Sequence, residues 1–276
     1  MINPAEFEER LQRAIEDEQI SLPTLPEVAL RIREAVDRED SSADEIAELV
    51  ATDAALSARL LQVANSPLYR GREPIDSIQM AITRLGITLV RSLVISLAMK
   101  QIFQATSDAI DSRLRSSWKN SVQVAAISRV LSQVLPQLDP NQAMLAGLIH
   151  NIGTLPILMF AESYSELMDD EEQLDQLIDS LSPKISGQIL EGWNFPEPLI
   201  QVAKYCQQLD YDNGDSADYV DVVLVARLQT LDPELSDPQN WSSVPAFRKV
   251  GLEPEVEVIS MEGAAEEIQE VEEIFL

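Results

Sequence analysis

The chain has 276 residues, of which 47 are acidic and 20 are basic, so its formal charge at pH 7 is −27. A hydrophobic share of 45% is enough for a sizeable core in one large domain or two small subdomains, which excludes wholesale disorder. Nucleic acids and anionic membranes are not expected as partners, because both are bound largely through cationic side chains.

The negative charge is concentrated in the C-terminal half. Residues 1–135 hold 15 basic and 19 acidic side chains, whereas residues 136–276 hold 5 basic and 28 acidic ones. Such a surface admits a basic protein partner, and a salt-adapted source would account for it equally well. Both explanations stay open at this point.

One cysteine and one histidine limit the available chemistry. Cys206 cannot form an intramolecular disulfide, which fits a reducing compartment, and residues 1–10 lack the basic and apolar segments of a signal peptide. We therefore expect a cytoplasmic protein. A single imidazole, His150, cannot build a three-histidine metal site, although the many carboxylates leave an all-oxygen site open.

Helical periodicity dominates the chain, and no alternating apolar run bounded by turns predicts a strand. Apolar residues repeat at helical spacing from Phe7 to Ile15, and capping residues begin further helices at Thr24, Ser42 and Asp53. Later helices are predicted near residues 75–85, 87–99, 111–134, 143–160, 164–180, 184–192, 196–209, 216–230 and 263–276. The proline-rich residues 232–245 predict a loop.

Two of these stretches are strongly apolar. Charged residues such as Arg91 interrupt residues 87–99, which are too short and too polar to span a membrane. Residues 143–160 are broken by His150, Asn151 and Pro156, so we expect two packed helices separated at residues 151–153. Both stretches predict buried core helices.

Four short segments carry a resemblance to a known family. They are LPTLP at residues 22–26, DAALSARLLQVANS at 53–66, SIQMAITRLG at 77–86 and WNFP at 193–196. Together they resemble the HDOD domain, a bacterial signalling module related to the HD metal-dependent phosphohydrolases. The resemblance spans about residues 20–230, and it departs from the family at Ala54, where proline is usual.

The resemblance implies an all-α fold, in which a helical N-terminal subdomain packs on an HD-like helical bundle. On that basis we expect subdomains at residues 1–106 and 107–231, followed by a loop and an acidic C-terminal helix at 232–276. Ile268, Val271 and Phe275 share one face of this last helix, so we predict that it docks on the body of the protein.

The resemblance also identifies the positions at which catalytic HD enzymes hold their metal. The first histidine position corresponds to Asn120, the His-Asp pair to His150 and Asn151, and the later aspartate to Arg227, with Asp221 as the alternative. Neutral amides are poor replacements for ionised ligands, and a guanidinium repels a cation. We therefore expect no metal, no other cofactor and no metal-activated water.

The remaining side chains allow two interpretations. His150 is either a core histidine with satisfied hydrogen bonds or part of a vestigial pocket with Asn120, Asn151 and Arg227. Because a guanidinium suits phosphate or carboxylate, such a pocket would take an anion. Cys206 is expected to be a small buried hydrophobe, with a reactive thiol as the alternative.

These expectations lead to a non-catalytic bacterial signal-transduction module. It would bind signalling proteins in trans, since the chain shows no receiver or cyclic-dinucleotide domain, and a nucleotide or anionic metabolite is a further candidate ligand. The alternative is a residual HD-type phosphohydrolase with ligands drawn from Asp218, Asp221 or Glu191. Its oligomeric state stays open.

Overall fold

A computed structural model describes residues 3–36, 42–103, 108–231 and 238–276. Within these ranges the regular structure is entirely helical, with fifteen α-helices and two short 3-10 helices and without a strand. The predicted all-α fold is therefore confirmed.

Six helices form the N-terminal part of the protein. They are α1 (Pro4–Glu16), α2 (Glu27–Val36), α3 (Ala43–Ala51), α4 (Ala54–Ala64), α5 (Ile78–Leu85) and α6 (Ile87–Ile102). Ser42 and Asp53 cap α3 and α4 as predicted, each accepting a hydrogen bond from a backbone amide of the first turn. The predicted cap at Thr24 is wrong, because α2 begins only after Pro26, and proline disfavours helical geometry in the residue before it.

Seven helices form the central bundle. They are α7 (Asp108–Ser132), α8 (Pro140–Ile149), α9 (Thr154–Ala161), α10 (Ser165–Met168), α11 (Glu171–Gly192), α12 (Glu197–Tyr205) and α13 (Tyr219–Gln229). The predicted break between α8 and α9 is present at residues 150–153. Gly153 lies against α11 there, and its amide donates to the Ser186 hydroxyl at 2.8 Å.

The structure corrects the two helices predicted at residues 164–180 and 184–192. A short α10 is followed by one continuous helix, α11, which runs through Pro183. Proline removes the amide that the carbonyl of Asp179 would otherwise bond. Because Asp179 lies on the exposed side of α11, water can satisfy that carbonyl and the helix continues.

The C-terminal part differs from the predicted loop at residues 232–245. Residues 232–237 lie outside the described ranges, Pro238–Ser243 form a 3-10 helix, and α14 (Pro245–Val250) was not predicted. A second 3-10 helix, Val258–Ser260, precedes the last helix, α15 (Ala264–Phe275).

Helix α15 docks on the body, as predicted. Val271 and Phe275 are buried, and the carbonyl of Phe275 accepts a hydrogen bond from the Trp118 indole at 3.1 Å. Glu267 forms a 2.7 Å ion pair with Arg129 of α7. Helix α6 packs on α8 and α15 packs on α7, so helix contacts cross both predicted boundaries. The division of the chain at residues 106 and 231 stays a prediction.

One stretch of the described chain, residues 140–161, is long and apolar enough to cross a membrane by length and composition. It comprises α8 and α9, and 83% of its most apolar 18-residue window is buried inside the structure. Core helices of folded domains pass the same test, and the burial of both helices agrees with the predicted core position.

Candidate functional site

The four predicted site residues come from three places in the bundle. Asn120 lies on α7, His150 and Asn151 lie in the α8–α9 link, and Arg227 lies on α13. Arg227 acts electrostatically on His150, Asn151 bonds Ser121 next to Asn120, and Asn120 bonds Thr230 one turn after Arg227. The structure therefore brings all four residues into one region.

His150 is a buried, neutral imidazole. It is 3% exposed, and its Nδ1 lies 2.6 Å from the carbonyl oxygen of Gly147 one turn earlier. This contact assigns the proton to Nδ1, which leaves Nε2 as the acceptor nitrogen. Burial, and secondly the positive charge of Arg227, lower the pKa of His150 to about 3 from its usual 6.5. The ring is therefore uncharged at neutral pH.

Asn151 is held by two serines of α7. The Ser121 hydroxyl donates to Asn151 Oδ1 at 2.8 Å, and Asn151 Nδ2 donates to the Ser117 hydroxyl at 3.2 Å. Both polar atoms of this amide are thus engaged within the protein. Asn151 acts here as a connector between the α8–α9 link and α7.

Asn120 and Arg227 make contacts of the same kind. Asn120 Nδ2 donates to the Thr230 hydroxyl at 3.2 Å, and Thr230 in turn donates to the carbonyl of Arg227 at 2.8 Å. Arg227 Nη1 donates to the carbonyl of Cys206 at 3.0 Å. These bonds join α7, α12 and α13.

The charge of Arg227 also acts on Asp179 and Cys206. Partial burial raises the pKa of the Asp179 carboxyl, and the nearby guanidinium only partly opposes this. Burial raises the pKa of the Cys206 thiol, again against the opposing effect of Arg227. A buried thiol with a raised pKa is unreactive, which agrees with the expected small hydrophobe.

Asp221 serves a different part of the fold. Its carboxylate accepts from the Asp218 backbone amide in a capping box at the start of α13, and it pairs with the buried Lys249 at 3.3 Å. Asp221 precedes Arg227 by six residues, which is about 9 Å along a helix axis. Asp221 therefore lies toward the end of α13 opposite to Arg227.

The other proposed ligands are engaged as well. Asp218 accepts from the Tyr211 hydroxyl at 2.7 Å and caps α13, while Glu191 is paired with Lys204. In the described part of the chain, no group of three or more His, Cys, Asp or Glu side chains is placed to hold a metal ion. The donor set of the site, two amides, one imidazole and one guanidinium, does not fit a divalent cation.

The residues that carry the family resemblance have structural roles. Both polar atoms of the Asn65 amide bond the backbone of Ile75 at 2.7 Å, and its nitrogen also bonds the carbonyl of Leu61. The Trp193 indole donates to the carbonyl of Pro23 at 3.0 Å, so the WNFP and LPTLP segments meet in space. These segments join the N-terminal helices to the bundle.

Sequence reasoning missed a second polar site beside this junction. A cavity of about 130 Å³ lies between the N-terminal helices and the bundle, and its lining includes Arg33, Arg91, Ser92, Gln142 and Asn194. The sequence did contain one sign of this site. Arg33 lies four residues after the buried Ala29 on α2, and residues at this spacing share one face of a helix, so a cation lies on the apolar face of α2.

Comparisons with known proteins agree with this fold. The family model for the HDOD domain matches residues 22–209. A structure from Shewanella amazonensis SB2B, named as a candidate metal-dependent phosphohydrolase, is 32% identical, with 100% of both chains covered and a TM-score of 0.86. An HDOD domain protein of unknown function from Geobacter sulfurreducens is 24% identical, with 98% of this chain and 99% of that chain covered and a TM-score of 0.71.

A relative in Treponema pallidum (strain Nichols), described as an uncharacterized protein, is 22% identical over 266 residues. The match covers 90% of this chain but 50% of the relative, so the chain spans about half the length of that protein. Since the family model covers well over half of the chain, the protein belongs to the HDOD domain family.

Proposed function

We propose that this protein is a cytoplasmic regulatory module that acts by binding signalling proteins rather than by hydrolysing phosphate esters. The proposal rests on the chemistry at the four positions that the resemblance assigns to the metal ligands of HD enzymes. Three of these residues, Asn120, Asn151 and Arg227, carry neither imidazole nor carboxylate, and each is hydrogen-bonded within the protein. The loss of these ligands removes the ion that would activate water.

The charge distribution supports a basic partner. Residues 136–276 carry 28 acidic and 5 basic side chains, and such a field attracts cationic surfaces and accelerates their association. A nucleotide or anionic metabolite is a second candidate ligand, next to Arg227. At a concentration 100-fold above its Kd, such a ligand would raise the free energy of unfolding by about 2.7 kcal/mol.

A residual phosphohydrolase is the competing function, because the relative from Shewanella amazonensis named as a candidate phosphohydrolase is 32% identical over the whole chain. This function would need carboxylate ligands in addition to His150. The carboxylates considered for this role, Asp218, Asp221 and Glu191, have other partners, so the regulatory module is the better supported proposal.

The two functions differ in metal content and turnover. We expect protein purified from metal-supplemented cells to lack stoichiometric Fe, Mn, Zn and Ni, and to hydrolyse phosphomonoesters and cyclic nucleotides no faster than the His150→Ala variant does. Equal activity in both proteins would indicate a contaminant. Stoichiometric metal, with turnover that is lost in His150→Ala, would overturn the proposal.

A back-substituted variant tests the assignment of the positions themselves. Replacing Asn120→His, Asn151→Asp and Arg227→Asp together restores the HD ligand types around His150. We expect this triple variant to bind one or two metal ions per chain. A folded variant, verified by circular dichroism, that binds no metal would show that the positions are assigned wrongly.

A further inference from the structure

The cavity at the junction of the N-terminal helices and the bundle contains a buried cation with one unpartnered nitrogen. Arg33 of α2 lines this cavity and is 8% exposed. Its Nη1 is buried without a hydrogen-bond partner in the described part of the chain, and the guanidinium carbon lies 6.0 Å from the centre of the Phe195 ring. Because a buried guanidinium is costly unless its hydrogen bonds and charge are satisfied, the free Nη1 favours binding of a counter-charge from outside the chain.

The rest of the lining has the composition of an anion site. Arg91 adds a second cation, and Ser92, Gln142 and Asn194 add groups that can donate hydrogen bonds. Among the residues that the structure describes, none of those lining the cavity is acidic, although the chain has 47 acidic side chains.

We propose that this cavity binds a single tetrahedral oxyanion of the phosphate type, held by the fork of the Arg33 guanidinium. The volume of about 130 Å³ fits one such group and is well below the 300 Å³ or more of a typical cofactor pocket. A planar guanidinium binds phosphate oxygens through two parallel hydrogen bonds, which gives geometric selectivity. The site does not involve His150 and is independent of the proposed function.

The position of the cavity gives the ligand a structural consequence. Arg33 and Arg91 belong to α2 and α6, whereas Gln142 belongs to α8 and Asn194 to the link between α11 and α12. A bound oxyanion would therefore contact both the N-terminal helices and the bundle.

The first test uses inorganic phosphate as the probe, in titration calorimetry at constant ionic strength. We expect one phosphate per chain for the wild type and at least a roughly tenfold weaker affinity for Arg33→Gln. The matched control is Arg31→Gln, which makes the same charge change on the exposed side of the same helix. Nη1 of Arg31 lies 3.9 Å from Oε1 of Glu27 there. Equal weakening in both variants would reveal general charge attraction and would overturn the proposal.

The chemical class is tested with competing anions. Sulfate should displace phosphate, whereas acetate should bind more weakly because it lacks the tetrahedral set of oxygens. A phosphomonoester such as phosphoserine distinguishes free phosphate from a phosphate group on a larger molecule. If acetate and phosphate bind equally, the site is a carboxylate site and the tetrahedral assignment is wrong.

A second variant keeps the proposal testable if Arg33→Gln fails to fold. Gln142→Glu places a carboxylate in the cavity as an internal partner for the guanidinium. We expect a higher Tm in phosphate-free buffer and no remaining response to phosphate. Gln101→Glu makes the same charge change on the exposed surface of α6 and should bind phosphate as the wild type does. A Gln142→Glu protein that binds phosphate normally would overturn the proposal.

Discussion

Two polar regions of this protein differ in how their hydrogen-bonding groups are satisfied. In the HD-type site, Asn120, His150, Asn151 and Arg227 each have at least one internal hydrogen bond. In the cavity at the junction, Arg33 has a buried nitrogen without a partner. The polar groups of the first region are bonded inside the fold, whereas the second region contains a charged group with a nitrogen that an external ligand can satisfy.

The packing around the HD-type site supports the same contrast. A Cβ atom on Gly147 would lie 2.5 Å from Cα of Ala125, which shows how closely α8 approaches the backbone of α7. The imidazole of His150 bonds the carbonyl of this same glycine. The site therefore lies beside a close contact between α7 and α8 in the bundle core.

The largest expected effect comes from breaking that contact. Gly147→Ala places a methyl group against backbone atoms, which cannot move aside as a flexible side chain can. We expect the free energy of unfolding to fall by about 3 kcal/mol or more in urea titrations.

Gly192→Ala is the matched control for this change. Gly192 also lies in a helix, but an added Cβ would have no heavy atom within 4 Å. We expect a change of at most about 1 kcal/mol, and a stabilising one, since alanine favours helix. Similar losses in both variants would contradict the close approach of α7 and α8.

A smaller effect is expected from the titration of His150. Its folded-state pKa of about 3 lies below its usual 6.5, so the unfolded chain takes up a proton first as the pH falls. The stabilisation is complete above about pH 6.5 and is lost progressively toward pH 3. Between pH 7 and pH 4.5 the loss amounts to about 2.5 kcal/mol.

The matched variant is His150→Gln, which removes the one histidine of the chain and keeps a side-chain donor for Gly147. The carboxylates, including Asp179 with its raised pKa, titrate in both proteins, so their contribution cancels in the difference. The difference between the two urea stability curves should therefore show the histidine alone. Parallel curves from pH 7 to pH 4.5 would mean that His150 is accessible to protons in the folded state.

The sequence was sufficient to predict most of the helices, whereas the assignment of Asn120, His150, Asn151 and Arg227 to an HD-type site stays a prediction. Periodic apolar residues and caps such as Asp53 act locally, and the break at residues 150–153 is encoded by local helix breakers. The uninterrupted α11 could not be predicted, because the tolerance of Pro183 depends on which side of the helix faces water.

The contacts of each side chain were also beyond sequence reasoning. The bonds from Asn151 to Ser117 and Ser121 join residues about thirty positions apart, and only the fold brings them together. Arg33 was overlooked for a similar reason, since the junction that buries it is formed by Phe195 and other residues distant in the chain. A charged residue on an apolar helix face was the one local sign.

The smallest expected effect has the opposite sign and concerns Arg33. Arg33→Met keeps the approximate length of the side chain and removes a buried charge whose Nη1 has no hydrogen-bond partner among the described residues, at the loss of its contact with the Phe195 ring. We expect the free energy of unfolding in phosphate-free buffer to rise by about 1 kcal/mol, because removing an uncompensated charge outweighs the lost cation–π contact. The exposed Arg31→Met should change it by less than about 0.5 kcal/mol. If the guanidinium of Arg33 were already satisfied inside the fold, it would stabilise the protein. A clear loss of stability in Arg33→Met would therefore show that Arg33 has internal partners, as the residues of the first region do.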